Sequence, residues 1–212
     1  MTKNGANFKK SAMRVFIAIE MNEEARTYLR GQIRQLAQIL PTVRWVDPAS
    51  IHLTLAFLGE IDEEQLAMAT IASARAGAAA HPFTLQLATP GYFGPAHAPR
   101  VIWSGLGGDM AALQALHRHL SAELAARGFM LDERPFTPHL TLARVKNTLK
   151  PAEVSAFGVF LAHHALRPAQ APSLPVDHIA VMRSELFRDG ARYTTLSTHP
   201  LGEHQPGLAN KS

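Results

Sequence analysis

The sequence predicts a mixed helix-and-strand fold built on a duplicated unit, and three observations predict it. The five-residue word His52-Leu53-Thr54-Leu55-Ala56 recurs as His139-Leu140-Thr141-Leu142-Ala143, 87 positions further along a chain of 212 residues. Each copy is preceded by the same order of segments, a strand-length apolar run and then an amphipathic stretch, beginning near Arg14 and again near Arg100. A whole segment order repeated at one offset points to internal duplication rather than chance recurrence of a word. Within each word His and Thr are two residues apart, so an extended strand places both on one face and the two leucines on the other.

Arg14 to Ile19 is a continuous apolar run of strand length, consistent with burial on both faces. Asn22 is placed to cap a helix whose first turn carries Glu23 and Glu24, which suit the positive end of the helix dipole. Ala25, Leu29, Ile33, Leu36 and Leu40 follow at spacings of three and four, and Pro41 stops the pattern. Val43 to Val46 reads as a short extended piece broken at Asp47-Pro48. The first His-x-Thr strand then runs from Ile51 to Leu58 and is closed by Gly59. Asp62 and Gln65 have capping-box spacing for a helix to about Ala79, and Phe83 to Leu87 alternates like a half-buried strand. Thr89 to Arg100, rich in Pro and Gly, reads as a loop and as the joint between the two halves.

The second half restarts with a strand from Arg100 to Ser104, the glycines at 105, 107 and 108, and Asp109 as an N-cap. Leu113, Leu116, Leu120 and Leu124 form one helical stripe, with Gly128 at its C-terminus. Pro135 and Pro138 force an extended approach to the second word. Pro151 to Leu166 is helical in pattern, and Arg167 to Pro175 reads as a loop. Val176 to Met182 and Arg192 to Leu196 read as a closing strand pair with Asp189-Gly190 at the turn. Residues 1–12 read as a flexible leader and 201–212 as a flexible tail around one domain spanning 13–200.

A net charge of +4 and a pI near 9.7 favour anionic partners. The absence of cysteine excludes disulfides, thiolate metal ligands and a cysteine nucleophile. The run from Val15 to Ile19 is too short for a signal segment or a membrane span and ends at Glu20, so a cytoplasmic location is expected.

Two His-x-Thr strands facing one another would gather two imidazoles and two hydroxyls in one small volume. Such a set suits phosphoryl chemistry without a metal: a proton donor, a proton acceptor, and neutral donors for the non-bridging oxygens. Imidazole serves both proton roles because its ordinary pKa, about 6.5, lies near neutrality. The nine other histidines carry no such pattern; His117 and His119 do not share a helical face, and His163 and His164 are adjacent, so neither pair has metal-ligand spacing. Arg144 is a weak phosphate candidate, because regular alternation puts it with Leu140 and Leu142, away from His139. Phe57, Tyr92, Phe93 and Trp103 are candidates for stacking on a base, although aromatic residues more often belong to a core. Gly105-Leu106-Gly107-Gly108 resembles the start of a dinucleotide fingerprint, but Met110 stands where the third glycine belongs, which excludes a Rossmann reading.

The paired words, with the flanks V-R-W-V-D-P-A-S-I-H-L-T-L-A-F-L-G-E, R-P-F-T-P-H-L-T-L-A-R-V and M-R-S-E-L-F-R-D-G-A-R-Y-T, resemble the 2H phosphoesterase superfamily. They are similar in particular to its RNA 2′,3′-cyclic phosphodiesterase branch, also called 2′-5′ RNA ligase, from about Arg14 to Gly202. The resemblance implies an α+β fold of two pseudo-symmetric lobes, each with an antiparallel sheet flanked by helices, enclosing a cleft with one His-x-Thr strand from each lobe. It implies His52 as proton donor and His139 as proton acceptor, with Thr54 and Thr141 binding the phosphate, and neither metal nor cofactor. The implied reaction is hydrolysis of RNA 2′,3′-cyclic phosphate ends to 2′-phosphomonoesters, with 2′-5′ ligation as its reverse. Two alternatives stand beside it: the same chemistry on small nucleotides, including ADP-ribose cyclic phosphate, and a non-catalytic RNA-end binder. The partners implied are RNA ends or cyclic-phosphate nucleotides, with no membrane and no obligate protein partner.

Overall fold

A computed structural model describes residues 12–166, 171–188 and 190–202. The expected leader, apart from Ala12, and the expected tail beyond Gly202 lie outside the described residues, as does Asp189 of the expected turn. The elements follow in the order β1 (Met13–Glu20), α1 (Glu23–Ile39), β2 (His52–Ile61), α2 (Glu63–Ala78), β3 (Phe83–Phe93), β4 (Val101–Gly108), α3 (Met110–Ala125), β5 (Leu140–Arg144), α4 (Pro151–Leu166), β6 (Ser173–Val176), β7 (His178–Phe187) and β8 (Gly190–Pro200).

The strands form two four-stranded antiparallel sheets, ordered β2-β1-β7-β8 and β5-β4-β3-β6. The duplication is visible in these orders: each His-x-Thr strand lies at the outer edge of its sheet, beside the strand that opens its own repeat. One strand of each half, however, crosses to the sheet of the other half. β3 leaves the first half to pair with β4, and β7 leaves the second half to pair with β1. Each sheet therefore contains chain from both halves. The stretch from Val176 to Met182 is not one strand, as its apolar pattern suggests, because Asp177 is where the chain leaves β6 in the second sheet and enters β7 in the first.

Local signals set the helices. Asn22 caps α1, its side-chain oxygen accepting from the Ala25 amide at 2.8 Å. Asp62 and Gln65 form the reciprocal capping box of α2. Asp109 precedes α3, but its carboxylate accepts instead from the Thr84 amide of β3 at 3.1 Å, tying the helix start to the sheet. Leu113, Leu116, Leu120 and Leu124 are fully buried along α3, and one core runs continuously beneath both sheets.

The strands run longer than turn-forming residues suggest. β2 continues through Gly59, which lies beside a bulge at Leu58 and adopts φ +76°, a conformation glycine takes at little cost. β3 continues through Thr89–Phe93, where a loop was expected. β6 pairs with Phe83–Gln86 alone, so around Pro90 the strand has β4 as its one ladder neighbour among the described residues, which is where a residue lacking an amide is tolerated. The glycines after Ser104 belong to β4, and Ser173–Pro175, expected as loop, form with Val176 an edge strand beside β3.

Candidate functional site

Both five-residue words have the same local build. Leu53, Leu55, Leu140 and Leu142 are buried, whereas His52, His139 and Thr141 are half-buried and Thr54 is exposed. In β2 the register steps from Ile17–Ala56 to Ala18–Thr54, and in β5 from Ile102–Ala143 to Trp103–Thr141, leaving Leu55 and Leu142 as the extra residues of two equivalent bulges. A bulge points two consecutive side chains to one side, so Leu55 and Ala56, like Leu142 and Ala143, all enter the core. Parity is thereby reset. Phe57 and Arg144, the next residues, return to the face of the threonines, and both are exposed. Arg144 thus lies on the His139 side, which regular alternation had denied it.

The histidines are held in the same way. His52 Nδ1 lies 3.0 Å from the Ser50 carbonyl oxygen, and His139 Nδ1 lies 2.7 Å from that of Thr137. A carbonyl can only accept, so in each ring Nδ1 carries the hydrogen and Nε2 is left as a base when neutral and as an acid when charged. The repeat that builds this clamp is longer than the five-residue word. Pro48, Ser50 and His52 correspond to Pro135, Thr137 and His139 at the same offset, with a 3₁₀ turn at Pro48–Ser50 in the first copy.

β2 and β5 lie against each other, and the chain entering β2 is stitched to β5: the Val46 amide donates to the Leu142 carbonyl at 2.8 Å, and Trp45 bridges Ala143. Around His52, Phe16 and Tyr193 pack with ring centroids at 4.5 and 4.9 Å. Glu20 stands opposite His52 in the β1–β2 ladder and accepts from the Thr195 hydroxyl at 3.1 Å. His52, Glu20, Arg26, Tyr193 and Thr195 line a concavity of about 240 Å³. Burial pushes the His52 imidazole below its ordinary pKa, opposed by the Ser50 carbonyl and the Glu20 carboxylate. His139 is not among the residues lining that concavity; its ring meets Phe93 edge-on at 4.8 Å.

Of the aromatic candidates, Phe93 therefore reaches a histidine, Tyr92 packs on Phe157 and Trp103 packs on Phe93. Glu20, Tyr193 and Thr195 had no signal in the sequence, because they come from β1 and β8 and meet His52 only through the sheet. No group of three His, Asp or Glu side chains among the described residues is placed to hold a metal ion, and no helix there is long and apolar enough to cross a membrane.

Fold and site together define an α+β protein of two antiparallel sheets, with His52 opening the outer strand of one and His139 immediately preceding the outer strand of the other. The chain belongs to the 2′-5′ RNA ligase superfamily, whose model matches residues 29–186. It is 33% identical over 186 residues to an RNA 2′,3′-cyclic phosphodiesterase of Geobacillus stearothermophilus, covering 88% of this chain and 56% of that protein; this chain thus spans little more than half of that relative. The RNA 2′,3′-cyclic phosphodiesterase of Thermus thermophilus is 33% identical over 200 residues, covering 91% and 92% of the two chains. The crystal structure of E. coli LigT complexed with 3′-AMP superposes with a TM-score of 0.69 at 28% identity, covering 91% of this chain and 99% of that one.

Proposed function

We propose that this chain hydrolyses RNA 2′,3′-cyclic phosphate ends to 2′-phosphomonoesters, with His52 and His139 acting on one phosphorus. His139 Nε2 takes a proton from water as its oxygen attacks phosphorus. The P–O3′ bond breaks, and His52 Nε2 protonates the departing O3′, leaving a 3′-hydroxyl and a 2′-phosphate. Thr54 and Thr141 donate to the non-bridging oxygens, where charge accumulates in the transition state. Arg144 adds a positive charge on the same face. The lowered pKa of His52 makes its charged form a stronger acid, and the anionic substrate beside it would favour that charged form. With a 5′-hydroxyl in place of water as the nucleophile, the same displacement of O3′ would form a 2′-5′ linkage without ATP.

The observation that carries this reading is the matched carbonyl clamp on Nδ1, which frees Nε2 of both histidines for proton transfer. The relatives named as RNA 2′,3′-cyclic phosphodiesterases support the substrate. A second reading, the same chemistry on a small nucleotide, draws on the modest concavity at His52 and on the 3′-AMP complex of LigT. The test is to incubate the protein, in chelator, with an oligonucleotide ending in a 2′,3′-cyclic phosphate and to identify the product. A 2′-phosphate supports the reading, and binding without turnover would replace it with a non-catalytic RNA-end binder.

A further inference from the structure

At the far end of the His52 face, away from the candidate site, lies a second and larger concavity of about 380 Å³. It is lined by Arg14, Glu60, Ser184, Glu185 and Leu186 among others. It is joined to His52 along a single face of the first sheet. The alternation in β1 that buries Val15, Ile17 and Ile19 in the main core sends Arg14, Phe16, Ala18 and Glu20 to the opposite side. The bulge at Leu55 adds Phe57 to that side. Phe57 is 49% exposed, and the Arg14 guanidinium lies over its ring at 4.8 Å from the centroid. From His52, Phe16 leads to Phe57 and on to Arg14, which lies six positions along β1 from Glu20, the residue opposite His52, about 20 Å at the usual rise per residue. One nucleotide with its phosphate at His52 does not reach that far.

The chemistry of the concavity selects its occupant. Among the lining residues Arg14 and Arg183 are matched by Glu60 and Glu185, so the concavity offers no excess of positive charge to hold a phosphate. Carboxylates and the Ser184 hydroxyl accept well from ring and exocyclic nitrogens, and a guanidinium already stacked on an aromatic ring offers its outer plane to another flat group. We infer that this concavity holds the nucleobase of an RNA nucleotide upstream of the terminal cyclic phosphate, stacked on Arg14, which makes an oligonucleotide the preferred substrate over a mononucleotide. The inference rests on the hydrolytic reading proposed above and deepens it. At the position equivalent to Phe57 the other sheet carries Arg144, so the two halves would have diverged, one toward a base and the other toward a phosphate.

The test compares kcat/KM for a tetranucleotide ending in a 2′,3′-cyclic phosphate with that for a nucleoside 2′,3′-cyclic phosphate, in the wild type and in Arg14→Ala and Arg14→Lys. The wild type is expected to prefer the tetranucleotide by about tenfold or more, the size of one base-stacking contact. Both variants should lose that preference while keeping the nucleoside rate, because lysine retains the charge but not the planar stack. An abasic residue upstream should remove it equally. No length preference in the wild type, preference retained in Arg14→Lys, or an equal loss on both substrates would overturn the inference while leaving the hydrolytic reading in place. A wild type that turns over neither substrate would overturn that reading and this inference with it.

Discussion

Glu20 shows how a neighbouring strand acts on the His52 imidazole. Burial lowers the His52 pKa, and the Glu20 carboxylate is one of the two groups that oppose it. Glu20→Gln removes that opposition, so the pKa falls further and the charged form is lost at lower pH. If His52 delivers the proton to the leaving oxygen, the alkaline limb of kcat/KM against pH should move to lower pH while the acidic limb stays. A profile that moves on its acidic limb would exchange the roles of the two histidines, and an unmoved profile would remove Glu20 from the site. The threonines make a simpler prediction: Thr54→Ala and Thr141→Ala should each slow hydrolysis about ten- to a hundredfold, as expected for losing a donor to developing charge. Steady-state rates on variants with unchanged circular dichroism check it. The alternation that buries the leucines of each word and leaves His52, Thr54, His139 and Thr141 outside the core was legible in the sequence, because a period of two needs no knowledge of the fold. Glu20, Tyr193 and Thr195 were not, because strand pairing, rather than chain proximity, brings them to His52.

At the scale of elements, helix caps and stripes were legible almost to the residue, since Asn22, Asp62 and the α3 leucines act within their own turns. Strand ends were not, because Gly59, Pro90 and the glycines of β4 signal turns locally and are absorbed by bulges and one-sided pairing. The bulges at Leu55 and Leu142 matter most here. They explain why each word ends in two buried residues, and they return Arg144 to the histidine side. Packing between elements is also specific. A Cβ on Gly77 of α2 would come within 2.6 Å of the Pro200 carbonyl oxygen at the end of β8. Gly77→Ala, though favourable for an isolated helix, should therefore destabilise the protein, by about 1–3 kcal/mol as overpacking does. An unchanged or raised midpoint in urea would show that α2 can shift away from β8.

At the scale of the whole molecule, the exchange of β3 and β7 binds the halves together. Neither half holds a complete sheet, and one core lies beneath both. The duplication was legible in the sequence, but the exchange was not, because nothing local distinguishes a strand that pairs within its own repeat from one that crosses over. Unfolding should be a single cooperative transition: tryptophan fluorescence, which reports Trp45 and Trp103 near the second sheet, and far-ultraviolet circular dichroism should give coincident curves. Separated curves would mean that the sheets unfold independently. The duplication also brings two imidazoles with matched Nδ1 clamps onto neighbouring strands, and the proposed chemistry needs both in one step. The most direct measurement is the turnover of a 2′,3′-cyclic phosphate by His52→Ala, His139→Ala and the double variant. If both rings act on one phosphorus, all three should fall to the same residual rate, since residues that act as a unit are not additive. A double variant slower than either single variant by the product of their separate losses, or a single variant that keeps its rate, would contradict it.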